Sequence, residues 1–95
     1  MSGIALGCEP RPDGWVCHVT VTDGASATRH DVRVATADLA RLAPGAEDPA
    51  DLVRASFAFL LEREPKESIL ATFALPVIGR YFPEYEREIR RRLGR

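Results

Sequence analysis

The segment Asp51–Glu64 constrains the fold most, because it reads as a helix that is apolar over more than half of its circumference. At 3.6 residues per turn, one broad arc of this helix contains Leu52, Val53, Ser56, Phe57, Phe59, Leu60 and Leu61. Asp48 and Pro49 form a helix start, since aspartate is favoured at the N-cap and proline at the first helical position. The pattern predicts a central helix over residues 49–63, packed between the sheet and the C-terminal helices.

Upstream of this helix, two runs of alternating apolar and polar residues predict a β-hairpin. The apolar face of residues 15–22 contains Trp15, Cys17, Val19 and Val21, and that of residues 28–35 contains His30, Val32 and Val34. The two faces coincide only if odd positions of the first strand lie opposite even positions of the second. This register requires a loop with an even number of residues, and a four-residue loop over residues 24–27 satisfies it.

The remaining elements have weaker signals. The apolar run Ile4–Leu6 predicts a third strand at the edge, and the prolines that follow predict a loop over residues 9–14. Helices are predicted at residues 36–43, 66–73 and 76–82, and a last one that Pro83 either begins or kinks. We therefore expect a single α+β domain, residues 1–95, in which an antiparallel hairpin of two or three strands precedes about four helices.

The composition excludes few functions. With 45% hydrophobic residues, the 95-residue chain can form one small core. Thirteen basic and 14 acidic side chains give a net charge of −1, so bulk charge argues neither for nor against a polyanionic partner. The sequence contains no apolar run of membrane-spanning length and no secretory pattern, so we expect a cytoplasmic protein without a membrane partner.

The two cysteines, Cys8 and Cys17, are too few for a disulfide scaffold and are expected to be free thiols. Cys17 lies on the apolar face of its predicted strand, where a buried and inert thiol is the expected state. Cys8 can approach Cys17 if residues 4–8 join the sheet, which would permit a disulfide. A reducing cytoplasm argues against that bond.

No catalytic or metal-binding motif is present in the sequence. Cys17 and His18 are neighbours, but in a strand they point to opposite faces. No zinc motif matches the spacing of the candidate ligands, which are Cys8, Cys17, His18 and His30. We expect His30 to be a satisfied or partly exposed histidine and His18 to be a solvated partner of Arg33 or Asp31. Without a phosphate-binding glycine loop, an enzyme is disfavoured and no cofactor is expected.

Aromatic residues near the C-terminus provide the main candidate for binding. The segment Leu75–Pro83 is apolar but interrupted by prolines, and another tyrosine, Tyr85, lies two residues beyond it. Such a segment either completes the core or presents an aromatic patch to another chain. The residues predicted to contact a protein partner are Arg80, Tyr81, Phe82 and Tyr85. The exposed edge of a short sheet adds a homodimer to the possible assemblies.

Arginines in the last helix provide the alternative, which is nucleic-acid binding by Arg87, Arg90, Arg91 and Arg92. Residues 66–82 also have the outline of a helix-turn-helix, although the turn glycine is absent. Cations near a helix C-terminus also complement the helix dipole and pair with preceding glutamates, and we favour this second interpretation. The sequence therefore favours a small non-catalytic protein-interaction module, with self-association as one form of it. Nucleic-acid binding is the runner-up, and an enzyme comes third.

Overall fold

The computed structural model describes residues 2–94, without the side chain of Ser2, and it shows an α+β fold. Four strands form one mixed sheet in the order β1-β2-β3-β4. The strands are β1 Ser2–Arg11, β2 Gly14–Asp23, β3 Ser26–Ala35 and β4 Thr72–Ala74. The helices are α1 Thr36–Leu42, α2 Ala50–Leu61, α3 Ile78–Tyr81 and α4 Tyr85–Leu93. The predicted fold class is confirmed, but the sheet has a fourth strand that follows two of the helices.

The register of β2 against β3 is the predicted one, with Trp15 opposite Val34 and Cys17 opposite Val32. The loop between them is shorter than predicted, because pairing extends to Asp23 and Ser26 and leaves Gly24–Ala25 as the connection. Gly24 has a φ of +62°, and a positive φ at the first of two central residues is the pattern of a type II′ hairpin turn. The even loop length keeps the apolar faces together.

Strand β1 is also longer than predicted, since its pairing with β2 continues to Arg11 opposite Gly14. The predicted loop over residues 9–14 is therefore wrong, and the turn contains Pro12–Asp13 alone. Pro10 is tolerated in this strand because β1 lies at the edge, where a residue can lack an N–H group without breaking the ladder. At the turn, a Cβ atom on Gly14 would lie 2.1 Å from the carbonyl oxygen of Val34, so only glycine fits there.

The helix predicted at residues 66–73 is wrong. Lys66–Ser68 forms a single 3₁₀ turn, and Thr72–Ala74 forms β4, which pairs in parallel with β3. The segment is held by long-range bonds, in which His30 Nδ1 donates to the Leu70 carbonyl oxygen at 2.8 Å and Asp31 N–H donates to Ala71 O at 2.7 Å. This tertiary pairing overrides the local helical spacing. The helix-turn-helix outline is consequently absent as well.

The other predicted helices are present, in one case only in part. The predicted helix 36–43 is α1, and the predicted central helix 49–63 is α2 with both ends shortened. Of the helix predicted at residues 76–82, only the four residues of α3 are α-helical, and a 3₁₀ turn, Leu75–Val77, precedes them. Pro83 lies just before α4 rather than within it. Within residues 2–94, no helix is long and apolar enough to cross a membrane.

Helix α2 is buried on two sides. Towards the sheet, the Phe57 ring lies 5.3 Å from the His30 ring, and towards α4 the Phe59 ring lies 5.4 Å from the Tyr85 ring. Both phenylalanines are fully buried. Between them, the Ser56 hydroxyl bonds to Leu52 O and to the Tyr85 hydroxyl, each at 2.7 Å. The central helix therefore packs between the sheet and the last helix.

Replacing Phe57 with alanine should lower the free energy of unfolding by about 3–5 kcal/mol, because a fully buried ring leaves a cavity when it is truncated. Urea denaturation followed by circular dichroism measures the change. Arg29→Ala, at an exposed position on β3, is the matched control and should stay within about 0.5 kcal/mol of the parent. A loss of under about 1 kcal/mol for Phe57→Ala would show that the core is centred elsewhere.

The two cysteines are joined, so the prediction of free thiols is wrong. Cys8 and Cys17 lie opposite each other in β1 and β2, with Cα atoms 4.0 Å apart, and form a disulfide. Cys17 is buried as predicted. The sequence permitted a disulfide only if residues 4–8 joined the sheet. The structure fulfils this condition.

Removing this disulfide should destabilise the protein by about 2–3 kcal/mol, since it closes a loop with a sequence separation of 9 in the unfolded chain. Urea denaturation with and without a reducing agent measures the loss, and the double variant Cys8→Ser, Cys17→Ser should match the reduced protein. The reducing agent should not affect that variant. Rapid reaction of both cysteines of the untreated native protein with a thiol reagent would contradict the bond.

Candidate protein-interaction surface

An apolar groove lies between the end of α2, β4 and α3. It encloses about 210 Å³ and is lined by Leu60, Glu64, Ser68, Ile69, Leu70, Phe73, Val77, Ile78, Tyr81 and Phe82. Within residues 2–94, the large apolar side chains that remain well exposed are Leu70, at 47%, and Tyr81, at 67%. Both belong to this groove, so the two well-exposed large apolar side chains of residues 2–94 lie at one place.

Glu64 supplies the charge in the groove lining. Its backbone N–H donates to Leu60 O at the end of α2, and its side chain makes no ion pair or hydrogen bond with residues 2–94. Burial raises the pKa of the Glu64 carboxyl above its ordinary value of 4.5, because partial removal from water disfavours the ionised form. An unpaired carboxylate beside an apolar surface can accept a hydrogen bond from a donor group of a bound molecule.

The four residues predicted to contact a protein partner do not lie together on the surface. Tyr81 and Phe82 line the groove, with Phe82 half-buried against the Phe59 ring at 5.9 Å. Arg80 is exposed on α3. Tyr85 is fully buried and is therefore a core residue, which corrects its assignment as a contact.

The environment of Tyr85 explains its burial. Its hydroxyl is satisfied by Ser56, and removal from water raises its pKa well above the ordinary value. A signal for this was present in the sequence, because Tyr85 shares the apolar stripe of the last helix with Ile89, which is also fully buried. Conversely, Leu70 was not recognised as a surface candidate, because Ile69, Leu70 and Phe73 have the spacing of one apolar stripe on the helix predicted at residues 66–73.

The arginines of α4 are partly neutralised by neighbouring carboxylates. Arg92 bonds to Glu62 at 2.5 Å and to Glu88 at 3.1 Å, and Arg91 also pairs with Glu88. Bonds from Arg91 and Arg92 lower the pKa of Glu88 to about 2. Of the four arginines predicted to contact phosphate, these two are thus engaged within the protein, and the other two are Arg87 and Arg90, both exposed.

A polar cluster lies on the open face of the sheet, across three strands. His18 Nδ1 donates to Asp31 Oδ1 at 2.7 Å, and His18 Nε2 lies 3.6 Å from Glu9 Oε1. The prediction that His18 is a solvated cross-strand partner is confirmed, with Asp31 as the partner. The second histidine, His30, is buried and satisfied by Thr28 and Leu70, which confirms the expectation that it is a satisfied histidine.

The imidazole of His18 should titrate with a pKa above its ordinary value of 6.5, chiefly because the Asp31 carboxylate accepts its N–H. The associated stabilisation is present below pH 6.5 and is lost as the pH rises through the raised pKa. Histidine resonances followed by NMR against pH measure the value. Asp31→Asn should move it down, and an unchanged midpoint in that variant would contradict the assigned cause.

Among residues 2–94, no three His, Cys, Asp or Glu side chains are placed to hold a metal ion. Comparison with known proteins finds no matching family model, no matching curated protein and no matching solved structure. The function is therefore argued from the residues of this chain alone.

Proposed function

We propose that this protein is a non-catalytic association module that binds a segment of another protein in the groove between β4 and α3. The observation that carries the proposal is that Leu70 and Tyr81, the two well-exposed large apolar side chains of residues 2–94, both line one apolar cavity. Concentrated exposed apolar surface on a small domain is typical of an interaction site, whereas scattered apolar residues need no explanation.

The size of the groove fits one bulky side chain. A cavity of about 150 Å³ is sufficient for a benzene molecule, so a groove of about 210 Å³ can take a leucine or an aromatic ring. Its lining is apolar except for Glu64 and Ser68. Burial of an apolar anchor in such a depression is the usual source of binding energy in protein interfaces.

Charge at the rim indicates the chemistry of the partner. The Glu64 carboxylate is partly buried and unpaired within residues 2–94, so a cation from a partner would relieve its desolvation cost. We therefore propose that the partner segment carries a bulky apolar residue beside a lysine or arginine.

Nucleic-acid binding by α4 remains the second proposal, with weaker support. Arg91 and Arg92 already bond to Glu88 and Glu62, so a phosphate would have to compete with these carboxylates. The cytoplasmic location expected from the sequence rested on the lack of a secretory or membrane-spanning pattern, and it stays a prediction. A disulfide such as Cys8–Cys17 is uncommon in a reducing cytoplasm, but the proposal for the groove is independent of compartment.

Selection of a displayed random peptide library on the immobilised protein tests the groove. Enriched peptides should carry an aromatic or leucine residue next to a basic one, with affinities measurable by calorimetry. Leu70→Ser and Tyr81→Ser should each weaken binding by about tenfold, which corresponds to about 1.4 kcal/mol. Glu64→Gln should weaken only the peptides that contain a basic residue.

Val16→Ser is the matched control, since Val16 is a partly exposed apolar residue on the open face of the sheet, away from the groove lining. Its peptide affinity should equal that of the parent. If the Leu70 and Tyr81 variants bind the peptides as tightly as the parent protein does, the groove is not the binding site. Enrichment of acidic peptides would contradict the assigned role of Glu64.

A further inference from the structure

Strand β1 forms a free edge of the sheet, since β2 is its sole neighbour among the strands of the described chain. It is ten residues long, and from Gly3 to Cys8 it contains neither a charge nor a proline. Natural edge strands are ordinarily protected by such residues, because an unprotected edge is a template for pairing with another strand. We propose that this edge pairs with the same edge of a second copy of the chain, antiparallel, about a two-fold axis at Gly7.

The backbone groups that face the free edge follow from the β1–β2 pairing. Cys8 and Cys17 have Cα atoms 4.0 Å apart, which is the short spacing of an antiparallel pair that exchanges no backbone hydrogen bonds. Cys8 and its alternate neighbours Leu6 and Ile4 therefore direct their N–H and C=O groups away from β2. In agreement, the Arg54 side chain reaches the Ile4 carbonyl oxygen from outside the ladder, at 2.5 Å.

The other side of the sheet fixes the same alternation independently. Asp31 N–H donates to Ala71 O, so it points away from β2. Its partner in β2 is His18, and these two residues thus form a pair without backbone bonds. The next residue, Cys17, must then bond to β3, which leaves Cys8 with its backbone groups directed outwards.

Two irregularities on the free edge match each other. The Ile4 carbonyl is already occupied by Arg54, and Pro10 has no N–H to donate. When a second β1 is placed antiparallel with Gly7 opposite Gly7, Ile4 lies opposite Pro10 of the second copy. Pro10 of the second copy, which has no N–H, then lies opposite the Ile4 carbonyl that Arg54 already occupies. Leu6 of one copy and Cys8 of the other exchange both of their backbone hydrogen bonds.

Neighbouring registers lack this match. Shifting the pairing towards the N-terminus sets an N–H of Leu6 or Cys8 against the Ile4 carbonyl, where it competes with Arg54. Shifting it towards the C-terminus places the Leu6 carbonyl opposite Pro10, where it finds no donor. The edge is therefore complementary to itself in one register, which favours a second copy of the chain over an unrelated strand.

The side chains on the open face are compatible with this register. A Cβ atom on Gly3 or Gly7 would meet nothing within 4 Å, so the isolated fold does not require glycine at either position. Glycine weakens a strand interior and often marks close approach of another backbone. In the proposed pair, Gly3 and Ala5 lie opposite Arg11 and Glu9 of the second copy, so each long side chain faces a small one.

Charge substitutions at the axis test the pairing by light scattering and sedimentation over a range of concentrations. The parent protein should dimerise as its concentration rises. Gly7→Lys and Gly7→Glu should each raise the dimer dissociation constant by about tenfold or more, because like charges lie directly opposite. Mixing the two variants should restore a dimer that contains one copy of each. A parent that stays monomeric, or a mixture without rescue, would overturn the proposal.

Ala27→Lys is the matched control, since it adds the same charge at an exposed position of β3, two strands from the edge. It should dimerise like the parent, and weakening equal to that of Gly7→Lys would contradict an axis at Gly7. Circular dichroism checks that each variant is folded. The inference concerns a different surface from the groove, so the Gly7 variants should bind groove peptides normally, and failure of either proposal leaves the other intact.

Discussion

The burial of two phenylalanines on opposite sides of α2 is the interaction on which the rest of the structure depends. Phe57 and Phe59 are two positions apart, about 200° around the helix axis, so both can be buried only with an element on each side. The Phe57 ring meets His30 of the sheet, and the Phe59 ring meets Tyr85 of the last helix. The walls of the groove come from β4 and α3. Both elements take their positions from the packing of the sheet and of the last helix against α2.

The regular part of the sheet was predictable because alternation encodes it. The apolar residues of β2 and β3 allow one register, and the observed pairing of Trp15 with Val34 follows from it. The state of Cys8 and Cys17 was not predictable from spacing, because it depends on β1 joining the sheet and on redox conditions. The prediction of free thiols failed because it relied on an assumed compartment rather than on the chain itself.

The candidate site was predictable only in part. Tyr81 and Phe82 were identified by their place in an apolar segment broken by prolines, and both line the groove. Leu70 was missed because its spacing from neighbouring apolar residues imitates a helix. In the structure its carbonyl instead bonds to His30, forty residues earlier in the chain, and no local pattern contains information about such a contact. Short parallel strands such as β4 are hard to predict for this reason.

The order of the strands has a consequence for how many ligands one assembly can hold. The free edge of β1 and the groove beside β4 lie at opposite ends of the sheet, so a contact at one leaves the other accessible. Two copies joined through β1 would have their β4 strands seven strand spacings apart, which is about 34 Å. A ligand with two anchors in tandem would then need about ten extended residues between them to occupy both grooves. Such a ligand would gain avidity without any new contact, whereas one with a shorter spacer would bind through a single anchor.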